Sequence, residues 1–404
     1  MNSKIYKYLE QYAEKEVQAL NSFPSALHLN NAVVIPAYNE NAHFLTRYIQ
    51  SQLSTAANVL ILVINQPVSE LDSTPQQQLE LTALSYGQVV WKNLNLSLIK
   101  FNEAQGYLLL IDRFSLNYQI DDKQGVGLAR KIGADIATAL IHASIIKSPW
   151  ICSTDADTHL PDNYFSCLDD LTTSSAALIY SFKHLDHHDA ISKATLTYEK
   201  SLRYYVSGLA WAGSNYAFHT IGSTIALNYN YYAMVRGFPK RSAGEDFYLL
   251  NKLAKLAPIE TITHSTLYIE PRISSRVPFG TGPAVEKIML LPTIEDYLYY
   301  HPTLFLELKN CLLAMNQLWQ YKDQPERWLA LLSKSSQQAL LQLRISKLFE
   351  HIQSNIKTNE QCTVHTHQWF DAFRTLKFFH YQQADFYPQI ALTQAITKAM
   401  FTTH

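Results

Sequence analysis

Continuous apolar runs alternate with helix-like stretches over the first part of the chain. Apolar runs that predict buried strands are AVVIP (32–36), VLILVINQ (59–66), YLLLIDRF (107–114), WICSTDAD (150–157) and AALIYSF (176–182). Between the third and fourth runs, apolar residues recur at helical spacing at Leu128, Ile132, Ile136 and Leu140. Continuous apolar strands separated by helices predict an α/β fold, with a mostly parallel sheet flanked by helices.

The two ends of the chain have a different pattern. Residues 3–20 show the spacing of a short amphipathic helix, and helical periodicity dominates after residue 284. We therefore predict an N-terminal helical extension (1–30), an α/β domain (31–284) and an all-α C-terminal region (285–404).

Composition narrows the classes of function. The 404 residues carry 33 basic and 34 acidic side chains, so a broad face for nucleic acid is not expected. The four cysteines lie far apart, which indicates a reduced, cytoplasmic protein. No apolar run reaches the roughly 18–20 residues of a membrane span, so no integral membrane segment is predicted.

The strongest chemical signal is the pair Asp155 and Asp157 in STDADTHLPDNY, directly after a predicted strand. In an extended chain the side chains of residues i and i+2 point the same way, so both carboxylates can face one Mg²⁺ or Mn²⁺ ion. Ligands in α/β sheets bind beyond the carboxyl ends of the strands, which is where this pair lies. The alternative interpretation is helix capping by Asp157 or Thr158 before Pro161.

Three further segments contain candidate binding or catalytic groups. AVVIPAYNE (32–40) ends a strand with a polar loop, in which Glu40 can accept hydrogen bonds from a ribose. In residues 222–253, Gly222 and Ser223 open a predicted short strand, and Gly244-Glu245-Asp246 precede a helix; the acids either cap that helix or act as an acid or base. In PRISSRVPFGTG (271–282), Arg272 and Arg276 suit phosphate oxygens.

Together these motifs resemble the family 2 glycosyltransferases with the GT-A fold. The motifs P-x-Y-N-E, D-x-D, a Gly-Ser strand, G-E-D and a downstream arginine segment follow one another in the family's order over about residues 31–284. The resemblance implies a nucleotide-diphosphate sugar as donor, with Mg²⁺ or Mn²⁺ between the D-x-D and the donor diphosphate.

The resemblance also implies roles for individual residues. Donor-binding positions matched to the family are Pro36, Tyr38, Glu40, Arg130, Gly222, Ser223, Arg272 and Arg276. Asp155 and Asp157 match the metal motif, and Asp246 matches the catalytic base. Glu245, beside it in the G-E-D motif, is expected to support a neighbouring strand or loop. The resemblance further implies that Arg130, in GVGLARKIGADIA, approaches the donor.

The sequence departs from the family at the end of the second strand. The family often carries an aspartate there, whereas this chain has Asn65, which can hydrogen-bond a base without charge. A UDP-sugar is favoured and a GDP-sugar remains open. The Q-x-x-R-W motif of the membrane-embedded polymerases is absent, which argues against a processive polysaccharide synthase.

The sequence thus predicts a cytoplasmic, metal-dependent, hexosyltransferase-like enzyme acting on an unidentified acceptor. Inversion at the anomeric carbon, with Asp246 as base, is the expected mechanism. A retaining transferase and a non-catalytic protein that binds a sugar nucleotide or a partner remain as alternatives. A nucleotidyltransferase is disfavoured because PAYNENAHF lacks the glycine-rich, basic loop that such enzymes need.

Overall fold

The structure is a computed structural model that describes residues 2–169, 171, 173–274 and 280–403. The described residues form a ten-stranded sheet and a separate two-stranded ribbon. The strands of the large sheet are β1 (Ala32–Ala37), β2 (Val59–Asn65), β3 (Gly87–Asn93), β4 (Leu96–Phe101), β5 (Tyr107–Arg113), β6 (Trp150–Ser153), β7 (Thr158–His159), β8 (Ala177–His184), β9 (Ile225–Asn228) and β10 (Ile259–Ile269). The ribbon consists of β11 (Leu298–Tyr299) and β12 (Ile390–Ala391).

Helices connect the strands and make up most of the C-terminal part. They are α1 (Asn2–Gln11), α2 (His43–Gln50), α3 (Thr74–Ser85), α4 (Gly125–His142), α5 (Ala190–Ala212), α6 (Tyr229–Met234), α7 (Glu245–Leu253), α8 (Thr281–Met289), α9 (Thr303–Met315), α10 (Pro325–Leu329), α11 (Lys334–Gln342), α12 (Ile345–Asn355), α13 (Asn359–Trp369), α14 (Ala372–Asp385) and α15 (Leu392–Thr397).

The large sheet has the order β3-β4-β5-β2-β1-β6-β9-β8-β10-β7. The pairs β5-β2, β2-β1, β1-β6 and β8-β10 are parallel, whereas β4, β9 and β7 run against their neighbours. Every residue of β1 and β2 is buried, as expected for central strands covered on both faces. The predicted α/β architecture with a mostly parallel sheet is therefore confirmed, and so is the helical nature of the C-terminal region.

Close packing of α4 on the sheet depends on a glycine. A Cβ built at Gly133 would lie 2.4 Å from Cγ1 of Val34 in β1, so any larger residue would push the helix away from the strand. This approach matters for the site because α4 carries Arg130 one turn before Gly133, and β1 leads into the loop with Glu40.

The chain divides into two compact units, which we describe separately. The first contains Met1–His187 and Thr220–Pro283, and the second contains His188–His219 and Ala284–His404. In the first unit, α1 is anchored by buried Ile5 and Tyr8, and the Tyr8 hydroxyl donates a hydrogen bond to Asp135 of α4. Asp135 also accepts a hydrogen bond from Lys131 at 2.8 Å.

The second unit is built around a large aromatic and aliphatic core. Trp328, Phe305, Phe378 and Phe379 are fully buried there. A Cβ at Gly208 of α5 would lie 2.4 Å from the ring of Phe305, so this glycine permits close contact between α5 and α9. Within the described part of the chain, no helix is both long enough and apolar enough to cross a bilayer.

Candidate active site

The loop after β1 lies at the carboxyl edge of the sheet, as predicted. Pro36 is the penultimate residue of β1, and the Tyr38 hydroxyl donates to Oε2 of Glu70 at 3.3 Å. Asn39 has a φ of 53°, a left-handed conformation that asparagine adopts more readily than most residues. The buried side chain of Asn65 donates to the carbonyl of Ala37 at 3.1 Å. Asn65 therefore uses its amide group to hold the end of β1, and its role in hydrogen-bonding a base stays a prediction.

The D-x-D motif follows β6, one strand away from this loop. Thr154 donates its backbone N–H to the carbonyl of Val34 at 3.0 Å, which continues the parallel pairing of β6 with β1. Arg47 of α2 donates a side-chain hydrogen bond to the carbonyl of Ala156 at 3.1 Å. Helix α2 therefore holds the backbone between Asp155 and Asp157 in place through Arg47.

A buried arginine joins the D-x-D motif to the G-E-D motif. The guanidinium of Arg130 donates to Oε1 of Glu245 at 2.8 Å and to Oδ1 of Asp155 at 2.6 Å. It also donates to Oγ of Ser153 at 2.9 Å. We call Arg130, Asp155 and Glu245 the Arg130 cluster. The cluster brings together three segments that are far apart in the sequence.

The geometry shows which groups hold Arg130, and its approach to a donor stays a prediction. Its side chain is buried and committed to two carboxylates, so it acts by positioning Asp155 and Glu245. Burial disfavours the charged guanidinium, but Asp155 and Glu245 more than offset this and raise the pKa of Arg130. A Cβ built at Gly222 would lie 2.6 Å from Nη2 of Arg130, so the predicted Gly222-Ser223 segment packs against the cluster and Ser223 is buried.

Asp246 lies at the start of α7, beside the Arg130 cluster. Gly244 precedes it with a φ of 69°, which allows the sharp entry into the helix. Burial and the neighbouring charge of Glu245 raise the pKa of Asp246 to about 7. The side chain nevertheless remains partly exposed. A partly accessible carboxylate with a pKa near neutrality is well suited to accept a proton at physiological pH.

A second arginine links the β1 loop to the D-x-D motif. Arg272 donates from Nη1 to Oε1 of Glu40 at 2.7 Å, and its Nε lies 2.7 Å from Oδ2 of Asp157. We call Arg272, Glu40 and Asp157 the Arg272 bridge. Burial opposes the charge of the guanidinium, but Asp157 and Glu40 raise the pKa of Arg272. Arg276 lies outside the described residues.

The donor set of the D-x-D pair fits a divalent cation that is shared with a substrate. Mg²⁺ in particular is commonly held by one or two carboxylates together with phosphate oxygens and water. Asp155 and Asp157 supply such oxygens, and both side chains are partly accessible. Within the described residues, no group of three or more His, Cys, Asp or Glu side chains is placed to hold a metal ion.

The charge balance also favours a cation. The Arg130 cluster and the Arg272 bridge together contain four carboxylates and two guanidinium groups. A cation that accompanied a diphosphate to this place would reduce the repulsion between the diphosphate and these carboxylates.

Sequence reasoning missed a polar group next to the D-x-D motif. Oε1 of Glu270 is 2.6 Å from Nε2 of His159, and its Oε2 is 2.8 Å from Nε2 of His187. Burial opposes the ionised form, but hydrogen bonds from His187 and His159 lower the pKa of Glu270. Arg47 was also missed, because its partner is a backbone carbonyl 109 residues away, for which no sequence pattern exists.

Comparisons with known proteins gave no family model and no curated protein that matches the chain. Among solved structures, TarS 1-349 of S. aureus in complex with UDP-GlcNAc is similar at 12% identity and a TM-score of 0.38, covering 84% of this chain and 90% of that one. Mannosyltransferase PcManGT from Pyrobaculum calidifontis, in complex with GDP-Man and Mn²⁺, is similar at 15% identity and a TM-score of 0.39, covering 93% and 94%.

A third similar structure is GalNAc-T7 with UDP, GalNAc and Mn²⁺. It has 13% identity and a TM-score of 0.35, and the match covers 83% of this chain and 56% of that chain. Similarity at this level assigns no chemistry to the chain, so the function proposed below rests on the geometry of its own residues.

Proposed function

We propose that the chain is a glycosyltransferase of the GT-A type, of family 2, that transfers a sugar from a nucleoside diphosphate to an acceptor hydroxyl. Asp155 and Asp157 are the proposed metal ligands, for Mg²⁺ or Mn²⁺, and Asp246 is the proposed base. The donor is a UDP-sugar or a GDP-sugar. The acceptor is unidentified.

One observation carries this proposal. Arg130 is bonded to Asp155 of the D-x-D and to Glu245 of the G-E-D, although the two motifs are 90 residues apart in the chain. A motif that suits a diphosphate-bound cation is thereby held next to Asp246, the carboxylate whose pKa lies near neutrality. A transferase needs both functions together: one group to stabilise the leaving diphosphate and one to take the acceptor proton.

On the donor side, the residues at the ends of β1 and β6 would bind the nucleotide and its diphosphate. Glu40 can accept hydrogen bonds from ribose hydroxyls, and Arg272 can donate two parallel hydrogen bonds to phosphate oxygens. When bound, a divalent ion supplies positive charge against the oxygens of the leaving diphosphate. Arg130 would hold the carboxylate of Asp155 in its orientation throughout.

On the acceptor side, Asp246 would take the proton of the attacking hydroxyl. The acceptor oxygen forms a bond to the anomeric carbon while the bond from that carbon to the diphosphate oxygen breaks. The proton passes to Asp246, and the nucleoside diphosphate leaves with the electron pair. Attack from the face opposite the diphosphate inverts the configuration, so an α-linked donor gives a β-linked product.

A non-catalytic protein that binds a sugar nucleotide is the second candidate, because ligand binding would need the Arg272 bridge and the D-x-D but no base. The raised pKa of Asp246 favours the enzyme, since a binding protein gains nothing from an accessible carboxylate that is costly to ionise. A retaining transferase would also need no base at Asp246, and it would give an α-linked product from an α-linked donor.

The experiment is a thermal-shift screen of UDP- and GDP-sugars, each with and without Mn²⁺, followed by donor-hydrolysis and acceptor assays with the donor that binds. At one hundred times its dissociation constant, a donor stabilises the protein by about 2.7 kcal/mol. Metal-dependent stabilisation and release of nucleoside diphosphate support the proposal. Stabilisation without turnover, which Asp246→Asn leaves unchanged, would favour the binding protein. Absence of any nucleotide-sugar effect would contradict both.

A further inference from the structure

The Arg272 bridge occupies the place where the donor complex is proposed to bind. Its guanidinium lies between Glu40, the proposed ribose acceptor, and Asp157, the proposed metal ligand, at 2.7 Å from an oxygen of each. In the free protein, the guanidinium of Arg272 therefore supplies positive charge at the place where a bound cation would supply it. A bound diphosphate would need positive charge at the same place.

We propose that Arg272 is an exchangeable internal cation: it closes the free site by binding Glu40 and Asp157, and it moves to the donor diphosphate when the divalent cation takes its place on Asp157. This inference rests on the proposed function, because the exchange requires a metal–diphosphate ligand. It makes Arg272 the residue that couples metal binding to nucleotide binding.

The backbone that carries Arg272 is anchored next to the D-x-D, so only the side chain has to move. The N–H of Glu270 donates to the carbonyl of Asp157 at 2.9 Å, continuing the antiparallel pairing of β10 with β7. The carboxylate of Glu270 is held by His159 and His187. These contacts fix the chain two residues before Arg272, and rotation of its side chain is a fast motion of small amplitude.

The exposure of Arg272 also suits an exchangeable contact. Its side chain is 34% exposed, whereas that of Arg130 is 4% exposed in a cluster of the same composition. A partly hydrated ion pair costs less to separate than a fully buried one, and a ligand that offers new partners lowers this cost further.

The exchange predicts opposite effects of one substitution on two ligands. In Arg272→Ala, Asp157 and Glu40 no longer bind the guanidinium of Arg272, so Mn²⁺ alone should bind on the order of tenfold more tightly than in the unmodified protein. UDP in the presence of Mn²⁺ should bind more weakly, since the guanidinium that donates two hydrogen bonds to the diphosphate is gone. The affinities of Arg272→Lys should lie between those of the unmodified protein and of Arg272→Ala, because an ammonium keeps the charge but cannot donate two parallel hydrogen bonds.

The test is isothermal titration of the full chain with Mn²⁺ alone, with UDP alone and with Mn²⁺ in the presence of UDP. Lys147→Ala is the matched control: it removes the same charge, but from an exposed position ahead of β6, at the opposite end of that strand from Asp155. Thermal unfolding of each variant confirms that it is folded before titration. Tighter Mn²⁺ binding in Arg272→Ala, with no change in Lys147→Ala, supports the exchange.

Two outcomes would overturn it. Equal Mn²⁺ affinity in the unmodified protein and in Arg272→Ala would show that the arginine does not compete with the cation. An equal gain in Lys147→Ala would show that overall charge, and not the bridge, controls the affinity. The Mn²⁺-only titration decides the exchange by itself, whereas a failure of the proposed function appears separately, as the absence of nucleotide-sugar binding to the unmodified protein.

Discussion

The Arg130 cluster and the Arg272 bridge are built from the same groups, one guanidinium and two carboxylates, in different surroundings. In the Arg130 cluster the arginine side chain is 4% exposed and Glu245 is 6% exposed, whereas Asp155 is 28% exposed. In the Arg272 bridge the arginine is 34% exposed, and its partners Glu40 and Asp157 are 14% and 13% exposed. The two groups thus differ mainly in the burial of their arginine, and we infer that this burial decides which ionic group is permanent and which can be exchanged.

The physical reason lies in the cost of separating the charges. Removing one partner of a buried ion pair leaves an unpaired charge in a medium of low polarity, which is strongly unfavourable. Near the surface, water and salt replace the lost partner at little cost. The Arg130 cluster is therefore a fixed frame that orients Asp155 and Glu245, and the Arg272 bridge is a contact that a ligand can replace.

The largest expected effect concerns Asp246, the proposed base beside the Arg130 cluster. We predict that Asp246→Asn lowers turnover by about 10²–10⁴-fold, the usual share of general base catalysis, with little change in donor affinity. Because burial and Glu245 raise the pKa of Asp246 to about 7, the activity of the unmodified enzyme should rise as the pH passes through this value. A pH profile of kcat for both proteins measures this.

A second measurement tests the stereochemistry. NMR of the product from an α-linked donor should show a β anomer, as single displacement requires. An α anomer would overturn the inverting mechanism even if Asp246 proved essential. Full activity in Asp246→Asn would remove the base assignment altogether.

The next effect is a difference in folding stability between the two arginines. Arg130→Met should lower the free energy of unfolding by about 3 kcal/mol, towards the lower end of the range for broken buried pairs, because Asp155 stays partly exposed. Arg272→Met should cost less, about 1–2 kcal/mol, because the bridge is only partly buried. Urea denaturation without ligands gives both values. Equal costs would break the comparison and make both arginines structural.

The fold is predictable from the sequence where burial is continuous. The apolar runs that become β1, β2, β5, β6 and β8 are continuous because central strands are covered on both faces. Half-buried strands carry a weaker signal: β3 has mostly exposed residues, and β10 combines exposed residues with a register shift between Ile262 and Thr266. The apolar pattern predicts neither of them as a strand.

The site is predictable as a set of motifs, but its internal partners are not. Asp155, Asp157, Glu245 and Asp246 stand out because acidic residues follow strands or begin helices at the ligand-binding edge. Which arginine binds which carboxylate depends on tertiary packing between distant segments, and Arg272 and Glu40 are 232 residues apart. For this reason the family resemblance could suggest that Arg130 approaches a donor, but the sequence could not predict its bonds to Asp155 and Glu245.

A smaller effect should follow from Gly222, whose backbone touches the Arg130 cluster. In Gly222→Ala the new methyl group would lie 2.6 Å from Nη2 of Arg130, and either the guanidinium or the Gly222 backbone must shift. We expect a loss of about 1–2 kcal/mol in the free energy of unfolding, within the range for overpacking. In the Arg130→Met background the same substitution should cost less, because the clashing group is absent. A double-mutant cycle in urea measures the coupling, and additive costs would contradict the contact.

The smallest expected effect is the contribution of Asp246 to the pH dependence of the free energy of unfolding. The pKa of Asp246 is about 7 in the folded protein and about 4 in an unfolded chain, so the folded state holds the proton more tightly. Below pH 4, Asp246 is protonated in both the folded and the unfolded state, and its contribution to stability is fully present. As the pH rises from 4 to 7, the unfolded state ionises first, and the contribution of this group to stability falls until the folded state ionises too.

The Asp246→Asn variant isolates this contribution, because the amide that replaces the carboxylate does not titrate. Between pH 5 and pH 8 the variant should gain stability relative to the unmodified protein, by on the order of 1 kcal/mol after allowance for the partial exposure of the side chain. Urea denaturation at both pH values, without metal or nucleotide, measures this difference. The matched substitution Asp122→Asn, at an exposed position in a loop ahead of α4, should leave the difference between the two pH values unchanged. If the two variants respond to pH alike, Asp246 has an ordinary pKa and its suitability as a base at neutral pH is lost.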